Sequence, residues 1–245
     1  MILRSLVLSC ALLVSGTAFA VPMQAQSTPS PAQSAASPAQ AQSTASPVLA
    51  KDAPPEQVVE SIVQELANAI DGHRAELRKN KSRLIDIIDG IFLPHFDIDY
   101  ASILVLGRHA REGTPQQRER FAKAFYDSIT HRYAEGLINY TKGSVKVLPF
   151  RGDLDPRRAM VRTQVMLDDG KTISVDYAFR RTYDGEWKAY DVVIEGISYI
   201  TNYRAQVDAE IRKVGIEALI HNLETNGAQT LEKMKQDSGN SSGHE

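Results

Sequence analysis

Residues 161–194 constrain the fold more than any other part of the chain. Ile173, Val175, Tyr177 and Phe179 alternate strictly with Thr172, Ser174, Asp176, Ala178 and Arg180. Just upstream, Val161, Thr163, Val165 and Leu167 alternate with Arg162, Gln164 and Met166. Successive side chains of a strand point to opposite faces, so each run makes one apolar and one polar face. Asp168-Asp169-Gly170 and Asp184-Gly185 are turns of the Asp-Gly type that joins hairpin strands. A third run holds Trp187, Tyr190, Val192, Val193 and Ile194, aromatic and β-branched types that suit a pleated surface. Its alternation leaves open which face Trp187 takes. Residues 144–150 add a further candidate, for a curved antiparallel sheet of about four strands.

Helical patterns flank this meander. Val58, Val59, Ile62, Val63, Leu66 and Ile70 recur at helical spacing behind Pro54-Pro55. Leu84, Ile85, Ile88, Ile91 and Phe92 form a second apolar face, stopped by Pro94. Thr114-Pro115-Gln116-Gln117 is a capping box with proline at the first helical position. Behind it, Phe121, Phe125, Ile129, Tyr133, Leu137 and Tyr140 make one bulky stripe. Residues 202–213 and 215–224 close the pattern as two more helices. Helices first and a meander after predict an α+β layer architecture, with helices on one face of the sheet. The sheet's apolar face and the aromatic stripe must cover each other. Periodicity alone does not distinguish a filled core from an apolar pocket between them, because the same residues line both; aromatic side chains favour a pocket.

The ends carry different signals. Residues 1–20 read as a signal peptide: Arg4, an apolar run through Val14, and Ala18-Phe19-Ala20 as the cleavage site. The run is too short for a transmembrane helix, and Val7-Leu8-Ser9-Cys10 leaves too little apolar sequence before Cys10 for a lipidation signal. Cys10 is the single cysteine, so a cleaved chain has no disulfide, thiol nucleophile or cysteine metal site. Residues 21–54, rich in Ala, Gln, Ser, Thr and Pro, read as a disordered linker. Residues 226–245 read as a flexible tail, which leaves 55–225 as the folded domain. The chain has 28 basic and 30 acidic residues; without Arg4 the balance is 27 to 30, or −3. That balance disfavours a nucleic-acid binder.

Few residues suggest chemistry. No zinc-helix, phosphate-loop or nucleophile-elbow motif is present. His95-Phe96-Asp97 is the nearest approach to a metal-ligand pair, and two ligands do not make a site. A buried aspartate beside tyrosines can act as a general base in a cone-shaped pocket. This gives the alternative of an enzyme acting on a small apolar substrate, with Asp176, Asp191 or Glu195 as base and Tyr177 and Tyr190 as donors. The plainer reading places Asp176 on the polar face and has Asp191 and Glu195 orient backbone at the strand-to-helix break. A purely structural envelope protein that uses the linker for interaction is a third reading.

Residues 185–204, G-E-W-K-A-Y-D-V-V-I-E-G-I-S-Y-I-T-N-Y-R, resemble the W-K-x-Y-D-V-x-I-E-G-x-S-x-x-x-N-Y-R segment of MlaC-type proteins. Leu93-Pro94-His95-Phe96-Asp97, Leu106-Gly107, Thr114-Pro115-x-Gln117, Phe121 with Phe125, Tyr203-Arg204-x-Gln206 and Gly215-Ile216-x-x-Leu219-Ile220 extend the resemblance over residues 56–223. Ala110 and Val207 depart from it, standing where many relatives carry Trp and Phe; a smaller residue at 110 either enlarges a cavity or is repacked. The resemblance implies an NTF2-like domain that takes phospholipid acyl tails between sheet and helices, with no catalytic residue, metal or cofactor. It implies a periplasmic shuttle between an outer-membrane lipoprotein–porin complex and an inner-membrane ABC transporter with an MCE-domain ring. That task maintains outer-membrane lipid asymmetry, and the chain is expected to act as a monomer. The expected pocket lining is Val165, Ile173, Val175, Tyr177, Phe179, Trp187 and Ile194 from the sheet. The long helix adds Phe121, Phe125, Ile129 and Tyr133.

Overall fold

Thr114 does what its sequence context predicts. Its Oγ1 accepts from Gln117 N at 3.1 Å, and Gln117 Oε1 accepts from Thr114 N at 2.9 Å, so a capping box opens the longest unbroken helix. The computed structural model describes residues 50–138, 144–149, 155–167 and 170–241. The expected signal peptide, most of the expected linker, Tyr140, Phe150 and the expected Asp168-Asp169 turn lie outside the described residues.

Among the described residues six helices come first: α1 (Pro55–Ile70), α2 (Arg74–Leu77), α3 (Lys81–Phe92), α4 (Ile98–Leu106), α5 (His109–Glu112) and α6 (Pro115–Leu137). A 3-10 turn at Leu93–His95 links α3 to α4. The sheet follows, with β1 (Val145–Val147), β2 (Arg158–Met166), β3 (Thr172–Arg181), β4 (Trp187–Ile194) and β5 (Ile197–Ser198). All five strands are antiparallel and in sequence order. The architecture is thus the expected α+β one, with a short fifth strand added to the predicted four. Helices α7 (Tyr199–Val214) and α8 (Ile216–Ser241) complete the chain.

Helix α7 begins three residues earlier than its apolar pattern predicts, because polar side chains hold its first turn. Ser198 Oγ accepts from Thr201 N at 3.1 Å. Asp191 accepts from Ile200 N at 3.1 Å and from Ser198 Oγ at 2.6 Å. These bonds satisfy amides that a helix start would otherwise leave unpaired. The preceding two-residue turn has both residues at positive φ, Glu195 at 49° and Gly196 at 79°. This is the combination that lets β4 fold tightly onto β5.

The predicted domain limits are corrected at both ends. Ala53, placed in the linker, is 5% exposed and packs against the sheet. The tail expected from residue 226 is instead the second half of α8, where Leu231 and Met234 are buried in the helical core. The sequence pattern breaks there because the helix does: Asn226 has a non-helical φ of −143° and ψ of 47°. Gly227 then passes so close to α6 that an added Cβ would stand 2.0 Å from Ser128 Oγ and 3.2 Å from Ser128 Cα. Gly227→Val is therefore expected to destabilise the protein by about 1–3 kcal/mol, the usual range for overpacking. A melt followed by circular dichroism checks this, and an unchanged melting temperature would mean that α8 does not pack here.

Three apolar clusters hold the molecule together. The first joins α4, α6, α7 and α8 through Val105, Leu106, Phe121, Val207, Leu219, Ile220 and Leu231. Ala110 and Val207 both lie in it, so the small residue at 110 is packed against its neighbours. The second joins α1, α2, α3 and the end of α6 through Leu66, Ile70, Leu77, Leu84, Ile88 and Ala134. The third joins Ala53, Val58 and Val59 to Val161, Phe179 and Ala189 of the sheet.

Candidate functional site

Strand register defines one continuous apolar face. Val145 and Val147 stand opposite Val165 and Thr163. Val161, Thr163 and Val165 stand opposite Tyr177, Val175 and Ile173. Val175 and Tyr177 in turn pair with Ile194 and Val192, and Phe179 with Ala189. Residues directly opposite in an antiparallel pair share a face. Thr163, polar among these, is fully buried, and its Oγ1 donates to Val175 O at 2.6 Å.

Among the described residues, this face is packed most fully at one end. Helix α1 lies over Val161, Phe179 and Ala189. At the other end, Val165, Ile173, Val175 and Ile194 belong to none of the three packed clusters of described residues. Val165, Ile173 and Ile194 are only half-buried, and Ile197, paired with Ile194, is 61% exposed. Val175 itself is buried, at 8% exposed, while the three aliphatic side chains around it stay partly open on the same face.

The eleven residues expected to line a pocket separate accordingly. Val165, Ile173, Val175 and Ile194 come together at the open end, and half-buried Tyr177 leads toward it from the margin of the α1 cluster. Phe179 has 1% of its surface exposed and sits beneath α1, so it is core and not lining. Trp187 stands opposite Arg181 on the same face as Phe179, against the α1 cluster. That settles its orientation and puts it about seven residues, roughly 23 Å at 3.3 Å per residue, from Ile194. On α6, Phe121 has no exposed surface and stacks on Phe125 at 5.4 Å. Phe125 meets Tyr203 edge-on at 5.2 Å. Both belong to the packing of α6 against α7, and Ile129 is half-buried beside them. Tyr133, 38% exposed, lies at the edge of that cluster, touching its Tyr203 and Tyr199.

Two contributors escaped the sequence reading. Val192 joins the apolar face because a bulge leaves Tyr190 unpaired: Phe179 faces Ala189 while Ala178 faces Asp191. A bulge shifts the alternation and has no clear sequence signal. Tyr199 directly follows β5, and its ring meets Tyr133 at 5.9 Å. It therefore links the end of the sheet to α6.

Tyr133, Tyr199 and Tyr203 form a phenol cluster. The Tyr133 and Tyr203 hydroxyls are 3.1 Å apart. Burial pushes the Tyr199 hydroxyl up to about 12, helped by Tyr133. Burial and the bond to Tyr133 also raise Tyr203. Burial acts upward on Tyr133 as well, but bonds from Tyr203 and Arg132 and the Arg132 charge outweigh it, and its pKa falls below the usual value. The Arg132 guanidinium lies 5.6 Å from the Tyr133 ring centroid and is paired with Glu232. Tyr133 also borders an open polar groove of about 530 Å³, with Lys81, His131, Arg132, Glu135, Ala228, Gln229 and Glu232.

The groups of the enzyme alternative do not converge. Asp176 stands opposite Arg162 and Val193 on the other face of the sheet from Tyr177. The Tyr190 ring packs edge-on against Tyr100 at 5.2 Å. Asp191 is occupied with the start of α7, and Glu195 Oε1 accepts from Ser174 N. Asp97 accepts from Tyr100 N at 3.0 Å and pairs with Arg180 at 3.2 Å, so it is not a free ligand beside His95. Burial lowers the His95 pKa. Among the described residues no group of three or more His, Cys, Asp or Glu side chains could hold a metal.

Comparison with known proteins places this arrangement. The family model described as MlaC protein matches residues 60–225. The chain belongs to the MlaC family. Its MlaC-family relatives include the intermembrane phospholipid transport system binding protein MlaC of Haemophilus influenzae, 25% identical over 179 residues. That match spans 72% of this chain and 84% of the relative. The toluene tolerance protein ttg2D of Pseudomonas putida is 27% identical over 162 residues, covering 66% of this chain and 74% of its own. Among solved structures, the phospholipid-binding protein from Ralstonia solanacearum, in complex with a phospholipid, superposes with a TM-score of 0.65. It is 27% identical to this MlaC-family chain and covers 73% of it, with 99% of its own length matched.

Proposed function

We propose that the protein is a phospholipid carrier that holds acyl tails against the open end of its inner sheet face. The observation that carries this reading is the partial exposure of Val165, Ile173 and Ile194 around Val175, outside the packed clusters of described residues, in a member of a family with a phospholipid-bound relative. The lining extends to Val192, Ile129, Tyr133 and Tyr199. Phe121, Phe125 and Phe179 stiffen its walls from behind.

The magnitudes favour a shuttle over a simple solvated binder. Two acyl tails hold about 30 methylenes, and burying each contributes about 0.8 kcal/mol, a gross gain of about 24 kcal/mol. That exceeds the ceiling of about 18–21 kcal/mol for non-covalent affinity. A tail so bound does not return to water on a useful timescale. It leaves only for another apolar site, where the difference in free energy is small. The proposed task is therefore transfer at docked partners in the periplasm: an outer-membrane lipoprotein–porin complex and an inner-membrane ABC transporter with an MCE-domain ring. Residues 1–20 export the chain, residues 21–49 act as a spacer, and no step calls for a catalytic group, metal or cofactor.

A delivery assay tests this reading. The protein is loaded with labelled phospholipid, freed of donor vesicles and mixed with acceptor vesicles. We expect label to remain with the protein in buffer and to move to a membrane carrying the partner complex. Rapid loss of label to buffer alone would contradict the carrier reading.

A further inference from the structure

Tyr133 brings a polar hydroxyl to the edge of the proposed lining. Its oxygen lies 3.1 Å from the Tyr203 hydroxyl, and the Arg132 guanidinium approaches from the same helix. Bonds from Tyr203 and Arg132 and the Arg132 charge act to lower its pKa. Either hydroxyl can donate across the Tyr133–Tyr203 pair, and Tyr203 as donor leaves the Tyr133 proton for a second partner. A phenol oxygen that accepts from its neighbours keeps its own proton to donate elsewhere. Tyr133 is 38% exposed, the most open of the three tyrosines.

Its position suits one kind of acceptor. On one side Tyr133 meets Tyr199, which follows the Ile194–Ile197 turn at the open end of the apolar face. On the other side it borders the polar groove that holds Lys81, Arg132 and Glu232. In a glycerophospholipid the apolar-to-polar boundary is the glycerol ester region, and the ester carbonyls there only accept hydrogen bonds.

We propose that the Tyr133 hydroxyl donates a hydrogen bond to an ester carbonyl of the bound glycerophospholipid, fixing how deep the lipid sits. This rests on the carrier reading above. Such a bond distinguishes an ester-linked lipid from an ether-linked lipid with the same chains and headgroup. A net hydrogen bond of ordinary strength corresponds to about a two- to ten-fold preference.

The test is a competition. The purified protein is incubated with vesicles of equal parts dipalmitoyl phosphatidylglycerol and its dihexadecyl ether counterpart, re-isolated, and its lipids are quantified by mass spectrometry. We expect an ester-to-ether ratio of about two to ten for the natural protein. Tyr133→Phe keeps the ring and its contact with Tyr199, and its ratio is expected to fall to about one. Tyr183→Phe, at a fully exposed side chain far from the lining in sequence, is expected to keep the natural ratio. A natural protein without preference, or a Tyr133→Phe variant that retains it, would overturn the proposal and leave the carrier reading standing. Uptake of neither lipid would overturn the carrier reading itself. Total lipid and ratio come from the same sample, so the two failures are distinct.

Discussion

Replacing Ile173 with aspartate is expected to strip the protein of co-purifying phospholipid by at least about a hundredfold. Ile173 lies mid-way across the open end of the sheet, opposite Val165 and next to the Val175–Ile194 pair on its face. A carboxylate there must either be buried against the tails or draw water among them, and an unpaired buried ion costs several kcal/mol. Each 1.4 kcal/mol is about a factor of ten in affinity, so about 3 kcal/mol already gives a hundredfold loss. Folding is expected to survive, because Ile173 is half-buried and belongs to no packed cluster. Near-surface changes of this kind shift stability by about 1 kcal/mol or less, roughly 2–4 °C for a domain of this size. Lipid extraction and a thermal melt on one preparation check both halves. Lipid retained at the natural level would place the tails elsewhere.

Phe179→Ala, six residues along the same face of the same strand, is expected to give the opposite result. Phe179 is 1% exposed and packs with Val58, Val59, Val161 and Ala189. Truncating a fully buried phenylalanine costs about 3–5 kcal/mol, from lost burial and the cavity left behind. That lowers the melting temperature by roughly 6–20 °C at this chain length. Urea unfolding should show the loss in the midpoint with little change in slope. A variant that melts within a few degrees of the natural protein would mean that Phe179 faces a cavity after all.

These two residues also show what the sequence reveals and where it stops. Strict alternation from Thr172 to Arg180 places Ile173 and Phe179 on one face, and the register agrees. Alternation says nothing about what lies above that face. Whether a position is core or cavity depends on where α1 crosses the sheet, a contact between residues more than a hundred positions apart. The aromatic stripe of α6 is misleading for the same reason. Phe121 and Phe125 have the spacing of a pocket wall, but α7 and α8 fold over them. Local signals fared better. The Thr114 capping box, the Gly185 turn and the role of Asp191 at the strand-to-helix break each depend on a few neighbouring residues. The second half of α8 was hidden because Asn226-Gly227 looks like a helix end. The glycine is there to let two helices touch at Ser128. Family membership was legible from the 185–204 motif and is supported by the match over residues 60–225.

The central claim is that the open sheet face holds phospholipid tails. Native mass spectrometry of the protein, expressed in a lipid-containing cell and purified without added lipid or detergent, tests it most directly. The account predicts a dominant species whose excess mass resolves on activation into intact phospholipid, and its absence from Ile173→Asp. A natural protein that emerges wholly at the mass of the bare chain would contradict it.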